Sequence, residues 1–178
     1  MNRLHFVPAT EATGAAAQLF AAIKAAVGKV PNAYVGIGSN SPHALEAALH
    51  LDGALKKGGL NGREIEAVKL VVSDVADCDY CLAAHTMIGK LQGLDATAMS
   101  ALRRGQPSGD AKLDALAAFA RVLVQTRGPV PTEVVDAVRG AGYTDAQIVD
   151  VMLAVTSITF TNLFNRVNAT VLDFPPAA

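Results

Sequence analysis

The sequence contains no tryptophan, few aromatic residues and few charges. Across 178 residues, aromatic side chains make up 5% and charged side chains 17%, while hydrophobic residues reach 51%. The net charge of −1 provides no basic surface of the kind that attracts nucleic acid or anionic membranes, so neither partner is expected. Because charges are few and small residues are many, we expect other copies of the chain to cover part of the surface.

Cysteine is equally scarce, since the chain has only Cys78 and Cys81. One close pair cannot build a disulfide framework, and it supplies too few ligands for a typical four-ligand zinc site. No secretory signal precedes Pro8, and the most apolar late stretch, 148–164, carries Asp150 and several Thr. We expect that stretch to be too short and polar to cross a membrane. These features predict a cytoplasmic protein in which the Cys pair has redox or metal chemistry.

The apolar spacing predicts one all-α domain over residues 1–178, long enough for a substantial core. The predicted helices are 10–27, 42–57, 61–75, one that opens at Cys78 with Asp77 as its cap, 95–104, 110–127, 132–139 and 144–171. A Val-rich run at 68–75 would suit a strand by propensity, but the caps and the helical spacing favour a helix. Segment 30–40 contains two Gly and a Pro and is predicted to be a connector.

Two segments 83 positions apart resemble each other. Each begins with a capping box, in which a cap residue is followed three positions later by Glu or Gln, and apolar positions match beyond it. The boxes are Asn61 with Glu64 and Thr144 with Gln147; further on, Cys78 aligns with Thr161, Cys81 with Phe164 and His85 with Asn168. We predict an active repeat at about 60–90 and a degenerate repeat at about 143–172, with Phe164 in the place of Cys81. Two unrelated capped helices would share the same features.

The cysteines belong to a wider pattern that includes Glu66 and His85. If a helix opens at Cys78, then Cys81 at i+3 and His85 at i+7 share one face with it. A thiol at a helix start lies near unpaired N–H groups and the positive end of the helix dipole, which favours the reactive thiolate. His85 can exchange a proton near neutral pH, and Glu66 can orient its imidazole.

The pattern Glu66-x(11)-Cys78-x-x-Cys81-x(3)-His85 resembles the alkylhydroperoxidase D-like branch of the carboxymuconolactone decarboxylase family. Ser73, five residues before the first Cys, also fits that branch. The resemblance implies a helical bundle that assembles as a homo-oligomer, a trimer or a hexamer. It implies reduction of peroxides with electrons from an external dithiol, without haem, flavin or metal. One departure is Tyr80, which occupies a position where some members have a second His.

The resemblance implies that Cys81 is the attacking thiolate and that Cys78 then closes the disulfide. Helix-dipole reasoning alone favours Cys78 as the more acidic thiol. Alternatives to peroxidase chemistry are a lyase of the carboxymuconolactone decarboxylase type and a non-enzymatic redox-responsive module. Buried structural thiols and a zinc site completed by His85 and Glu66 are the alternatives at the motif itself.

Other polar residues carry weaker predictions. Asn165 and Arg166, in the second repeat, face either the pocket or a neighbouring subunit. His5, His43 and His50 have no partners at a meaningful spacing and are expected on the surface.

Overall fold

The computed structural model describes residues 2–177, and this part of the chain contains nine α-helices and no β-strand. The all-α prediction is therefore confirmed. The helices are α1 (Gly14–Val27), α2 (Asn32–Asn40), α3 (Pro42–Leu55), α4 (Gly62–Val75), α5 (Asp79–Leu91), α6 (Ala96–Arg104), α7 (Ala111–Gln125), α8 (Thr132–Gly140) and α9 (Asp145–Asn168).

Local capping fixes where several helices begin. At α4 the Asn61 side chain accepts the Glu64 N–H while Glu64 accepts the Asn61 N–H, and Thr144 with Gln147 does the same at α9. Both capping boxes predicted from the sequence are thus present. At α3 the Ser41 hydroxyl accepts the Ala44 N–H, and Pro42 follows in the first turn.

Helix α4 lies at the centre of the bundle and packs against α5, α6, α7 and α9. Its residues Val68, Leu70 and Val71 are fully buried and join the main hydrophobic core. The Val-rich run is therefore helical, because burial on all sides suits apolar residues on every face. The central position means that polar residues of α4 must find partners inside the protein.

The connector predicted at 30–40 is wrong, since most of that segment forms α2. Its two glycines are required by close packing rather than by a turn. A Cβ at Gly36 would lie 2.9 Å from Cζ of Phe164, and one at Gly38 would lie 2.5 Å from Cε1 of Phe20. The first helix also starts later than predicted, at Gly14 rather than at residue 10.

Helix α9 runs without a break through the positions where the first repeat turns from α4 into α5. Among the helices in residues 2–177, only α9 is long and apolar enough to cross a membrane, judged by length and composition alone. This 24-residue helix extends beyond the stretch 148–164 at both ends. A third of its apolar window (33%) is buried in the fold, and core helices pass the same test, so the indication is weak.

Phe164 packs against α2 at Gly36 and borders the smaller core formed by α1, α2 and α3. Because the ring is only partly buried, we expect Phe164→Ala to lower the free energy of unfolding by about 3 kcal/mol, the lower end for Phe truncations. Gly36→Ala should also destabilise the fold, and much less so when Phe164→Ala is present. Denaturant unfolding of the two single variants and the double variant measures this coupling. Additive effects would contradict the contact.

Candidate active site

The turn between α4 and α5 places the two cysteines. Asp77 has a left-handed φ of 52°, a conformation that Asp tolerates better than most residues. The Cys78 N–H then bonds back to the Ser73 carbonyl at 3.1 Å, and Cys78 becomes the N-cap of α5. The cap predicted at Asp77 is therefore wrong by one residue, since the sulfur of Cys78 accepts the Cys81 N–H at 3.4 Å.

The two thiols are free and lie 2.7 Å apart, sulfur to sulfur. Both side chains are almost completely buried, at 2% exposure. Cys78 at the cap and Cys81 in the first turn point at each other, so a disulfide can close with little backbone movement. This proximity makes reversible dithiol chemistry possible at the start of α5.

The pair shares its protons unequally. A hydrogen bond with Cys81 and the Cys81 backbone N–H lower the pKa of Cys78 against the opposing effect of burial, and the positive charge of Arg166 adds to the lowering. The hydrogen bond with Cys78 and burial raise the pKa of Cys81, although Asn165 and Thr161 act in the opposite direction. Of the two thiols, Cys78 is therefore the one that loses its proton first as the pH rises.

Glu66 on α4 and His85 on α5 form a buried pair. The carboxylate oxygen Oε2 lies 2.7 Å from Nδ1 of the imidazole, and both side chains are nearly enclosed. A carboxylate on Nδ1 fixes the ring orientation and leaves Nε2 as the nitrogen for proton exchange. His85 lies one turn beyond Cys81 on α5, so this pair and Cys81 share one face of that helix.

A second polar cluster lies beside this pair. Lys69, on the same face of α4 as Glu66, donates to Oδ1 of Asp52 at 2.8 Å, and the Ser157 hydroxyl donates to the same oxygen at 2.8 Å. Burial alone would raise the pKa of Asp52, but the Lys69 ammonium and these hydrogen bonds lower it. Tyr34 donates to Oδ2 at 3.4 Å, and its own pKa is raised by burial and by the Asp52 charge. The Lys69 ammonium and the Asp52 carboxylate thus have partners inside the bundle.

A cavity of about 170 Å³ opens next to Cys78. It is lined by the turn that carries the motif and by the end of α9, namely Asp77, Cys78, Asp79, Tyr80, Asn165, Arg166, Ala169 and Thr170. Nδ2 of Asn165 donates to the Cys81 sulfur at 3.3 Å. Of the two alternatives left open by the sequence for Asn165 and Arg166, the structure shows that both line this cavity.

Tyr80 does not take the place of a second His in proton exchange at rest. Its hydroxyl donates to Oδ1 of Asp173 at 2.7 Å and accepts the Ala33 N–H at 3.1 Å. The Phe174 ring packs edge-on at 5.6 Å between centroids, and Lys29 pairs with Asp173. Burial and the bond to Asp173 raise the pKa of Tyr80, so it stays protonated. Tyr80 therefore fastens the C-terminal segment to the motif.

The remaining candidates have simpler surroundings. His5, His43 and His50 are exposed, as predicted. Within residues 2–177, no group of three or more His, Cys, Asp or Glu side chains is arranged to hold a metal ion. In particular, the carboxylate of Glu66 pairs with Nδ1 of His85.

The unequal thiols predict a two-stage pH profile. As the pH rises through the lowered pKa of Cys78, its thiolate fraction increases, so alkylation of Cys78 by iodoacetamide should have its midpoint below the usual thiol pKa of about 8.5. Cys81 should remain slow until far higher pH. Arg166→Gln should move the first midpoint upward, whereas Arg63→Gln, which removes an arginine paired with Asp110, should not. One shared midpoint at or above about 8.5 would contradict the assignment.

The fold and site together define an all-α protein with a buried pair of free thiols at the start of α5. Residues 42–122, which include Glu66, Cys78, Cys81 and His85, match the family model described as "Carboxymuconolactone decarboxylase family". This match spans less than half of the chain and agrees with the family predicted from the motif. No curated protein matches the chain.

Solved structures show the same fold over most of the chain. An uncharacterized peroxidase-related protein with an alkylhydroperoxidase AhpD core, from Ralstonia eutropha JMP134, aligns with a TM-score of 0.84 at 19% identity, covering 97% of this chain and 92% of that one. A peroxidase-related protein from Silicibacter sp. TM1040 gives 0.68 at 23%, covering 91% and 84%. The debrominase Bmp8 gives 0.74 at 17%, covering 89% and 86%.

Proposed function

We propose that this protein is a thiol-dependent peroxidase that reduces hydrogen peroxide or organic hydroperoxides. The observation that carries the proposal is the free dithiol at the start of α5, with its sulfurs 2.7 Å apart beside a cavity. The Glu66–His85 pair supports it by offering a route for the proton that such chemistry must move. The family match and the peroxidase-related neighbours agree with this class of reaction.

The reaction has two balanced steps. A thiolate attacks one peroxide oxygen, an S–O bond forms, the O–O bond breaks, and the leaving oxygen takes the electron pair and a proton as an alcohol or water. The attacking Cys is then a sulfenic acid. The second thiol loses its proton and attacks that sulfur, an S–S bond forms, and the hydroxyl leaves as water. An external dithiol returns the disulfide to two thiols and is itself oxidised.

The order of the two cysteines follows the resting geometry. The family resemblance assigns the attack to Cys81, but Cys78 carries the lowered pKa, accepts the first-turn N–H of α5 and lines the cavity. We therefore assign the attack to Cys78 and disulfide closure to Cys81. His85, one turn from Cys81, gives a proton to the leaving oxygen and takes the Cys81 proton during closure, while Glu66 holds the imidazole in place.

A single-turnover experiment tests the proposed function. Reduced protein mixed with one equivalent of hydrogen peroxide should consume the peroxide, lose two thiols and form one Cys78–Cys81 disulfide seen by mass spectrometry. The redox-responsive alternative predicts a disulfide that forms slowly and does not turn over. A lyase predicts no thiol loss, and peroxide that persists with both thiols intact would overturn the proposal.

We also propose that the protein is cytoplasmic and forms a homo-oligomer, a trimer or hexamer. Four apolar side chains of α9 are each about half exposed and lie within a narrow stripe of the helix: Val149, Met152, Leu163 and Val167. Such a stripe is costly to leave in water. Light scattering at micromolar concentration should therefore show an oligomer, and Leu163→Glu should weaken it. A stable monomer would contradict this assembly.

A further inference from the structure

Two amide groups of α9 have polar atoms without a partner in the described part of the chain. They are Nδ2 of Asn162, a donor, and Oδ1 of Asn165, an acceptor. The side chains are only 1% and 4% exposed, respectively. Buried polar atoms in folded proteins nearly always have a hydrogen-bond partner, so each such exception requires an explanation.

One amide contacts the dithiol directly, and the other is linked to the turn that carries it through Ser73. Nδ2 of Asn165 donates to the Cys81 sulfur at 3.3 Å. Oδ1 of Asn162 accepts the Ser73 hydroxyl at 3.2 Å, and the Ser73 carbonyl accepts the Cys78 N–H at 3.1 Å. The two asparagines are three residues apart, so they lie on neighbouring turns of the same helix face. Each is thus anchored by one polar atom to a group that positions a sulfur.

A third asparagine of the same helix shows what a purely structural amide looks like here. Asn168 is equally buried, at 1% exposure. Its Oδ1 accepts the Leu4 N–H at 2.9 Å and its Nδ2 donates to the Thr170 hydroxyl at 3.0 Å. Both ends of this amide are therefore satisfied within the chain. Asn162 and Asn165 differ because each has one polar side-chain atom without a hydrogen-bond partner.

We propose that Asn162 and Asn165 form an oxygen-binding subsite for the hydroperoxide group. This inference rests on the proposed peroxidase function and adds the residues that bind the reacting oxygen. When the O–O bond breaks, the leaving oxygen gains negative charge, and a positioned N–H donor stabilises it most at that moment. Nδ2 of Asn162 supplies this donor. Once the oxygen is protonated, Oδ1 of Asn165 accepts the new O–H.

This chemistry sets the substrate class. The subsite recognises an –O–O–H group, which offers both an acceptor and a donor, so hydrogen peroxide and hydroperoxides fit it equally. An electrophile without oxygen at the leaving position gains nothing from the two amides. The inference does not depend on which of Cys78 and Cys81 attacks, because Asn165 donates to the Cys81 sulfur and the Cys78 sulfur lies 2.7 Å from that sulfur.

The difference between leaving groups provides the test. Stopped-flow rates for hydrogen peroxide and alkylation rates for iodoacetamide, whose leaving group is iodide, should be measured on the full-length reduced protein. Asn162→Ala should lower the peroxide rate by about 100-fold, as loss of one oxyanion donor does, while the alkylation rate stays close to that of wild type. Asn165→Ala should also lower the peroxide rate, because it removes the acceptor for the new O–H. Asn168→Ala is the matched control and should leave the ratio of the two rates unchanged.

Thermal unfolding by circular dichroism identifies any variant that fails to fold, and Asn162→Ser, which keeps a polar group, provides a milder replacement. An unchanged peroxide-to-alkylation ratio in Asn162→Ala or Asn162→Ser, with wild type active on peroxide, would overturn the subsite alone. Equal loss of both rates in Asn162 variants would overturn it too, since that result indicates a structural role. A wild-type protein that does not react with peroxide would overturn the proposed function itself.

Discussion

Replacing Cys78 with serine is expected to abolish the reaction with peroxide, whereas Cys81→Ser should still react once and stop as a sulfenic acid. The reason is that Cys78, at the cap of α5 and at the cavity, is the thiol with the lowered pKa, while Cys81 is needed to close the disulfide. A dimedone-type reagent followed by mass spectrometry should find one adduct, on Cys78, in Cys81→Ser. The double variant Cys78→Ser/Cys81→Ser serves as the unreactive control.

The opposite pattern of sulfenic acid trapping would reverse the roles of the two cysteines. If Cys78→Ser traps a sulfenic acid on Cys81 and Cys81→Ser traps none, the roles implied by the family resemblance hold and the order inferred from geometry is wrong. The Asn165 N–H would then be the donor that activates Cys81. If neither single variant nor wild type forms a sulfenic acid, the redox-responsive module replaces the enzyme.

His85→Ala is expected to slow the peroxide reaction by about 100-fold or more, within the range of single acid–base groups. Without the imidazole, the leaving oxygen lacks a proton donor and the Cys81 proton lacks an acceptor. The apparent pKa of the reactive thiol should also rise. Stopped-flow rates as a function of pH, measured with alkylation in parallel, separate the loss of proton transfer from a change in thiolate fraction.

Glu66→Gln should have the same effect in milder form, because it removes the charge that orients the imidazole but leaves the ring in place. A matched control exists on the same helix. Asp74→Asn makes the same change from acid to amide in a residue that pairs with Arg103 rather than with His85. Equal rates for Glu66→Gln and wild type, or equal losses in both variants, would contradict a relay from Glu66 to His85.

Much of the helical layout could be predicted because its signals are local. The capping boxes at Asn61 and Thr144 are fixed by residues three positions apart. Segment 32–40 could not be predicted as a helix from local signals. Its Gly36 and Gly38 disfavour a helix locally, and only the rings of Phe164 and Phe20, which are distant in sequence, explain them.

The same contrast between local signals and contacts distant in sequence applies to the candidate site. Cys78, Cys81 and His85 are within one helical segment, so their register follows from sequence spacing. Asn162 and Asn165 lie more than eighty positions from the two cysteines, and the packing of α9 on α4 and α5 brings Asn162 to Ser73 and Asn165 to the Cys81 sulfur. Their sequence signal is faint: buried polar residues at helical spacing along an otherwise apolar stretch.

The polar residues of α4 gave a clearer sequence signal, and the motif used only part of it. Glu66, Lys69 and Ser73 follow the spacing i, i+3 and i+7 within a run of buried apolar residues, which marks an interior polar face. In the structure each of them has a partner inside the protein, on α5, α3 and α9 respectively. The central helix thus has one polar face, whose side chains pair with α5, α3 and α9, and is otherwise apolar.

The most direct test of the central claim is steady-state peroxide consumption by wild-type protein with several external dithiols as electron donors. Samples should be quenched during turnover, and the Cys78–Cys81 linkage should be measured by mass spectrometry. The account predicts repeated turnover that depends on a dithiol, with the intramolecular disulfide accumulating when the dithiol is exhausted. Peroxide that is not consumed with any dithiol, or that is consumed while both thiols stay reduced, would contradict it.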